Sequence, residues 1–184
     1  MKHNRFGQAR VLLPEELDTL VNLLPSGTHR TLGHLLRRTS VRVSEGLKLK
    51  WEFILDDVIL FPAPITKKKK SRPIPLHPIL KMELKIWKDL QINPKPSDFV
   101  FKGRLASSHL TRQSFDLVLR QACESMGIKG VSTHSFRRSC LTHLNNQKVP
   151  LRTIQSISGH SSLAVLEKYL EVNEKDRVEA ISLL

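Results

Sequence analysis

The chain has 184 residues, 40% of them hydrophobic and 26% charged, which suits one domain of ordinary size, or two small ones, with a real core. Thirty Lys and Arg against 17 Asp and Glu give a net charge of +13 and a pI near 10.1, so at neutral pH the surface attracts polyanions and repels copies of itself. Nucleic acid is the leading partner on that ground, with an anionic membrane surface a distant second. Two cysteines, Cys123 and Cys140, exclude a disulfide framework, and no paired ligand spacing supports a zinc site from them with His143. No stretch approaches the roughly 20 apolar residues that span a bilayer. The basic start MKHNRFGQAR is not followed by an apolar run of signal-peptide length, so a cytosolic, DNA-associated protein is expected.

In chain order, LLPEELDTLVNLLP predicts a first helix. Proline and acidic residues stand in its first turn, and Leu17, Leu20, Val21 and Leu24 form an apolar face. HRTLGHLLRRT reads as a second helix, and Ser44 and Glu45 in SVRVSEGLKLKW open a third. DDVILFPAPI reads as a short strand, the run Lys67 to Lys70 as a turn, and RPIPL as the return strand, whose prolines exclude a helix and suit a sheet edge. PILKMELKIWKDL is amphipathic, with Leu80, Leu84 and Trp87 aligned and lysines opposite. NPKPSDFVFKG is a turn with a short extended piece, and LTRQSFDLVLRQACESMG is a helix that stops at Gly127. Helical spacing continues in THSFRRSCLTHL, in PLRTIQSISGH up to Gly159, in SLAVLEKYLEV and in EKDRVEAISLL. With no internal repeat and no long linker, residues 1–184 read as one α+β domain, predominantly helical, with a small antiparallel sheet carrying the lysine turn.

Five places hold polar groups that packing alone would not ask for. They are Arg42 between two valines, Lys67 at the head of the lysine run, the pair His134 and Arg137 one helical turn apart, His160 after a glycine, and Tyr169, the only tyrosine. Each has an ordinary reading by itself: a salt-bridge arginine, a solvated turn, a chance His-x-x-Arg pair, a helix C-cap, an amphipathic core ring. Two adjacent arginines beside a histidine on one helix are nevertheless costly to bury without partners, so either a solvated face or an anion is required.

Order and spacing together favour the anion. Arg42 in VRVSEGLKLKW, the lysine of TKKKKSRPIPL, HSFRR, SGHSS and LEKYLEV resemble the signature segments of the tyrosine recombinases, or phage-type integrases. That family's pattern is Arg, Lys, His-x-x-Arg, His or Trp, and Tyr. His160 and Tyr169 stand nine residues apart, and Arg137 and His160 twenty-three, both similar to the family's spacing. The resemblance runs from about Leu13 to Val172, and the wording HSFRRS…ISGH…KYLEV is most similar to integrase-type proteins of cyanobacterial genomes.

The resemblance implies metal-free and cofactor-free attack of Tyr169 on a phosphodiester of double-stranded DNA, giving a 3′-phosphotyrosyl link that keeps the bond energy for rejoining. Arg42 and Arg137 would stabilise the charge gathering on the non-bridging oxygens, because a guanidinium fork binds phosphate oxygens and stays protonated. A phenol, with a reference pKa near 10, needs help losing its proton at neutral pH. His134 would accept that proton and His160 would donate to the phosphate, two assignments that can be exchanged. Lys67 would protonate the leaving 5′ oxygen, with Lys68, Lys69 and Lys70 as neighbours that could replace it. Lys68, Lys69, Lys70, Arg72 and Arg138 are the expected DNA-backbone contacts. Arg138, rotated about 100° from Arg137 on the helix, stands where the family often has histidine; it could pair with a carboxylate inside the fold or touch a second phosphate. Ser40 stands where a glycine often precedes the first arginine.

The resemblance further implies site-specific recombination, whether integration, excision or inversion. The DNA target is not legible, since groups that touch phosphates carry no base information. A silent DNA-binding relic or fragment, and type IB topoisomerase-like nicking and rejoining, are the competing readings. The helical domain that closes a clamp around DNA in typical integrases is expected to be absent from this chain. Apolar Val178, Ile181 and Leu184 could pack on their own domain. In the family such a segment docks on a neighbouring subunit and joins four active sites in a tetramer on DNA.

Overall fold

The computed structural model describes residues 8–105, 107–170 and 174–182. Among them lie helices α1 (Pro14–Leu23), α2 (Thr28–Thr39), α3 (Val43–Leu47), α4 (Pro78–Asp89), α5 (Arg112–Ser125), α6 (Thr133–Asn146), α7 (Leu151–Ser158), α8 (Leu163–Glu167) and α9 (Glu174–Ser182). Strands β1 (Val58–Phe61) and β2 (Arg72–Pro75) pair antiparallel, Val58 opposite Pro75 and Phe61 opposite Arg72. The expected α+β architecture, mainly helical with a small sheet at the lysine turn, is what the structure has.

The α1 face predicted from Leu17, Leu20, Val21 and Leu24 is wholly buried against Leu32, Leu35 and Leu36 of α2. Each such leucine contributes about 1.5–3 kcal/mol when withdrawn from water. The third helix is a single turn. Beyond it Leu47, Leu49 and Trp51 are buried at every second position, the period of a strand, and Lys50 bridges Phe99 antiparallel. In α4, Leu80 and Leu84 are buried and Trp87 donates its indole N–H to the Val100 carbonyl at 2.8 Å. The outward side of α4 is not purely lysine, because Met82 and Ile86 stand exposed there.

Helix α6 runs through the middle. Phe136 and Cys140 join the main core, while Leu141 meets Ile154 of α7 and Leu166 of α8 in a second, smaller core against which Tyr169 and Leu170 pack. The segment before α1 straps across α6. The Leu12 amide donates to the Ser139 hydroxyl at 2.8 Å, and His143 bonds the Leu12 carbonyl at 2.8 Å. Cys140 donates its thiol to the Arg37 carbonyl at 3.0 Å, so both groups are engaged in packing contacts. Ser40 caps α2 in the left-handed conformation (φ 55°), the backbone geometry that makes glycine the easy choice there. On α9, Val178 and Ile181 are exposed and do not pack on the domain among the described residues; Leu184 lies outside them.

Candidate active site

Three turns of chain deliver the polar groups. Arg42 lies where α2 ends and α3 begins. Glu45, three residues on, reaches back to the Arg42 amide (3.4 Å) and pairs with its guanidinium (3.1 Å). The β1–β2 turn is closed by the Lys69 amide on the Thr66 carbonyl (3.2 Å) and the Lys70 amide on the Thr66 hydroxyl (3.1 Å). Gly159, left-handed at φ 67°, ends α7 and turns His160 inward. The seam between these turns is a cavity of about 430 Å³, walled by Arg42, Glu45, Lys68, Lys70, Arg72, Arg152 and His160 among others.

Arg137 answers which way the quoted helix faces. Although it is a charged side chain, it is only 2% exposed. It donates to the carbonyls of Ser40 and of Ser158 (2.7 Å), and to Nε2 of His160 at 3.1 Å. Burial first, then Arg42, pushes its pKa down to about 9, so it keeps its proton at neutral pH. A guanidinium can only donate, so Nε2 of His160 accepts and the imidazole proton sits on Nδ1, 2.9 Å from the Ser158 hydroxyl. Burial, with Arg137 and Arg42 next, pushes the His160 pKa down to about 3, consistent with that neutral tautomer. In this arrangement His160 has no free N–H for a phosphate.

Tyr169 packs its ring against His160 (centroids 4.7 Å apart), with the Arg137 guanidinium 5.8 Å from the ring centre. His134, in the first turn of α6, is exposed; burial first, then Arg112, Arg137 and Arg42, hold its pKa below the ordinary value. It is within electrostatic reach of both arginines and neutral at physiological pH. Arg42, Arg137, His160 and Tyr169 are thus brought together, with His134 beside them.

The lysine turn is placed less simply. All four lysines are exposed; Lys68 and Lys70 wall the cavity, whereas Lys67 does not line it and supplies its backbone amide to Glu45 at 3.2 Å. Lys69 is exposed at φ 51°. Arg72 and Arg138 face inward, unlike simple surface DNA contacts. Arg72 pairs with Glu45 (3.2 Å) and donates to the Ser158 carbonyl (2.7 Å). Arg138 pairs with Asp18 (3.2 Å) and donates to the Ala9 carbonyl (2.7 Å), which is the internal carboxylate pair considered for it.

Two participants escaped the sequence reading. Glu45, 1% exposed, receives Arg42, Arg72 and the Lys67 amide. Burial would raise its pKa, but the Lys67 amide, Arg72 and Arg42 outweigh that and hold it below the ordinary carboxylate value. Its one available signal was the Arg42-x-x-Glu45 spacing of one helical turn. Ser158, wholly buried, offers its carbonyl to two guanidiniums and its hydroxyl to His160. A serine before glycine at a helix end gives no such hint.

Arg42 and Arg72 share the single carboxylate of Glu45 and, with Lys68, Lys70 and Arg152, leave an excess of positive charge in the cavity, while Arg137 and the Tyr169 ring lie against His160. That arrangement defines a class: anion-binding sites with a phenol close by. The model of the phage integrase family matches residues 10–176, and the chain belongs to that family. A tyrosine recombinase XerA from Pyrococcus furiosus is 30% identical over 172 residues, which cover 92% of this chain and 60% of that protein. A tyrosine recombinase XerD from Listeria innocua is 33% identical over 175 residues, covering 86% and 57%. The crystal structure of XerA recombinase shares the fold at a TM-score of 0.79 with 22% identity, over 100% of this chain and 66% of that one. The catalytic domain of bacteriophage HP1 integrase does so at 0.65 with 21% identity, over 88% and 87%. The chain thus spans about 60% of the length of the curated XerA relative it matches.

Proposed function

We propose that this chain is the catalytic part of a site-specific DNA recombinase, in which Tyr169 attacks a DNA phosphodiester and forms a 3′-phosphotyrosyl link. The observation that carries it is the cavity where Arg42, Arg72, Lys68, Lys70 and Arg152 outnumber Glu45, with Arg137 and the Tyr169 ring against the His160 that lines it. A phosphoryl transition state gathers negative charge on its non-bridging oxygens, and fixed donors in a sheltered site stabilise it without reorganising. Arg42 is paired on one side only and lines the cavity, so it meets the phosphate with Arg137 behind it. His134 takes the phenol proton, and a lysine of the turn, Lys67 by its place in the sequence pattern, protonates the leaving 5′ oxygen. His160 donates to the phosphate once the arriving anion has raised its affinity for a proton. Two such chains per site, four in all on paired DNA, associate through α9, whose Val178 and Ile181 stand exposed among the described residues.

The test is a nicked suicide substrate containing the element's own junction, incubated in EDTA. A covalent protein–DNA band is expected from the wild type and none from Tyr169→Phe. No band from a wild type that binds the site sinks the reading. The same assay separates the lysines. Lys67→Ala should cleave slowly, and a 5′-bridging sulfur, a leaving group that needs no proton, should restore it. Rescue confined to Lys68→Ala or Lys70→Ala would move the general acid to that lysine. The mass of the trapped complex on full sites reports whether four chains assemble.

A further inference from the structure

Arg72 opens β2, immediately after the lysine turn, and its side chain does not reach out toward solvent. One Nη meets Glu45 at 3.2 Å and the other donates to the Ser158 carbonyl at 2.7 Å. The guanidinium lies 5.7 Å from the ring centre of Phe61, its partner across the hairpin. The same Ser158 carbonyl accepts from Arg137, and the same Glu45 holds Arg42 and the Lys67 amide. Gly159 completes the fit: a Cβ there would stand 1.9 Å from Arg72 Nη1, so only a residue without one leaves the guanidinium its place. Arg72 therefore joins three separate pieces of chain, namely the lysine hairpin, the Arg42–Glu45 turn and the Ser158–His160 corner.

We propose that Arg72 is a positioning residue that locks the lysine hairpin and the His160 corner around Glu45, and not a contact to the DNA backbone. The proposal rests on the recombinase reading for its effect on cleavage. With Arg72 in place, Glu45 divides its two oxygens between two arginines, so Arg42 is held by a single bond and keeps donors for a phosphate. Without Arg72, Glu45 can take Arg42 by both oxygens and draw it from the cavity, while the hairpin loses its tie to α7. Displacements of that kind cost about 10²-fold in rate even when no reacting group is removed. Lysine cannot replace this arginine, because a single ammonium lacks the fork that spans a carboxylate and a carbonyl.

The experiment compares wild type with Arg72→Gln, which removes the charge, and Arg72→Lys, which keeps it without the fork. Three quantities are read: the single-turnover rate of adduct formation at saturating DNA, the salt dependence of DNA binding, and amide hydrogen exchange of the DNA-free chain. The expected result is a rate about 10²-fold lower in both variants, with an unchanged salt slope. Exchange should be faster at the Lys67, Lys69, Lys70 and Gly159 amides, with α1 and α2 still protected. A slope lower by about one with the saturating rate intact would make Arg72 a phosphate contact and overturn the proposal. An unchanged rate, or unchanged exchange at the turn, overturns it as well. If the wild type itself forms no adduct, the recombinase reading fails while the exchange comparison still decides whether Arg72 holds the hairpin.

Discussion

Arg137 is a cation that the fold takes almost entirely out of water. Burying an unpaired guanidinium is costly, and two backbone carbonyls and an imidazole nitrogen offset that cost only in part, as its lowered pKa records. On the proposed reading, a phosphate anion brings the missing charge. Arg137→Lys keeps the charge but cannot reach the Ser40 carbonyl, the Ser158 carbonyl and His160 together. It should slow adduct formation by about 10²–10³-fold and lower stability by about 1–3 kcal/mol through unsatisfied buried acceptors. Single-turnover trapping and urea denaturation check the two effects. Retained cleavage in the lysine variant would show that charge without the fork suffices.

At the scale of elements, Tyr169 is aimed by α8, a helix of five residues too short to hold itself. The Ser162 hydroxyl caps its start by accepting from the Val165 amide, and Leu166 anchors it against Leu141 and Ile154. The Thr142 hydroxyl then donates to the Tyr169 carbonyl at 3.3 Å, tying the residue to α6. Leu166→Ala should cost about 2–5 kcal/mol if α8 melts with the rest of the domain. Because the cluster is small and peripheral, local release is the expected form of the loss. Adduct formation should fall further than global stability, with faster amide exchange confined to residues 163–170. Uniform loosening of the whole domain would instead place α8 in the main folding unit.

For the molecule as a whole, acid is the condition to which this fold is most exposed. His160 has a folded pKa near 3 against an unfolded value near 6.5, and burial likewise lowers His29, His34, His77, His134 and His143. A histidine held neutral in the fold contributes stability fully above its unfolded pKa. That contribution is lost as pH falls from about 6.5 toward the folded value, because the unfolded chain takes the proton first. Glu45 acts in the same direction at lower pH. Its depressed pKa favours the fold above about 4.3, and the advantage disappears as pH falls through the folded value. Urea midpoints should decline steadily from pH 7 to pH 4, and His160→Gln should make that decline shallower throughout. A midpoint flat across the range would mean that these groups are solvated in the folded chain. If the proposed function holds, added DNA should oppose the decline, because its phosphates favour the protonated imidazole.

The sequence by itself determined the helices, the hairpin and the types of group at the site. Those follow from local periodicity and turn chemistry, as with the α1 face at Leu17, Leu20, Val21 and Leu24 or the proline-marked edge of RPIPL. The spacing of His134, Arg137, His160 and Tyr169 was legible for the same reason, since α6 and the α7–α8 turn fix their separation along the chain. Partnership was not legible. Arg72 and Arg138 look alike as exposed basic residues in sequence, yet one is drawn to Glu45 and the other to Asp18. The cost of burying Glu45 is offset only by cations that arrive from residues 42 and 72, on two separate turns. Which nitrogen of His160 carries the proton depends on an arginine twenty-three residues away. Pairings of that kind are set by long-range packing of turns against one another, and only the tertiary structure decided them.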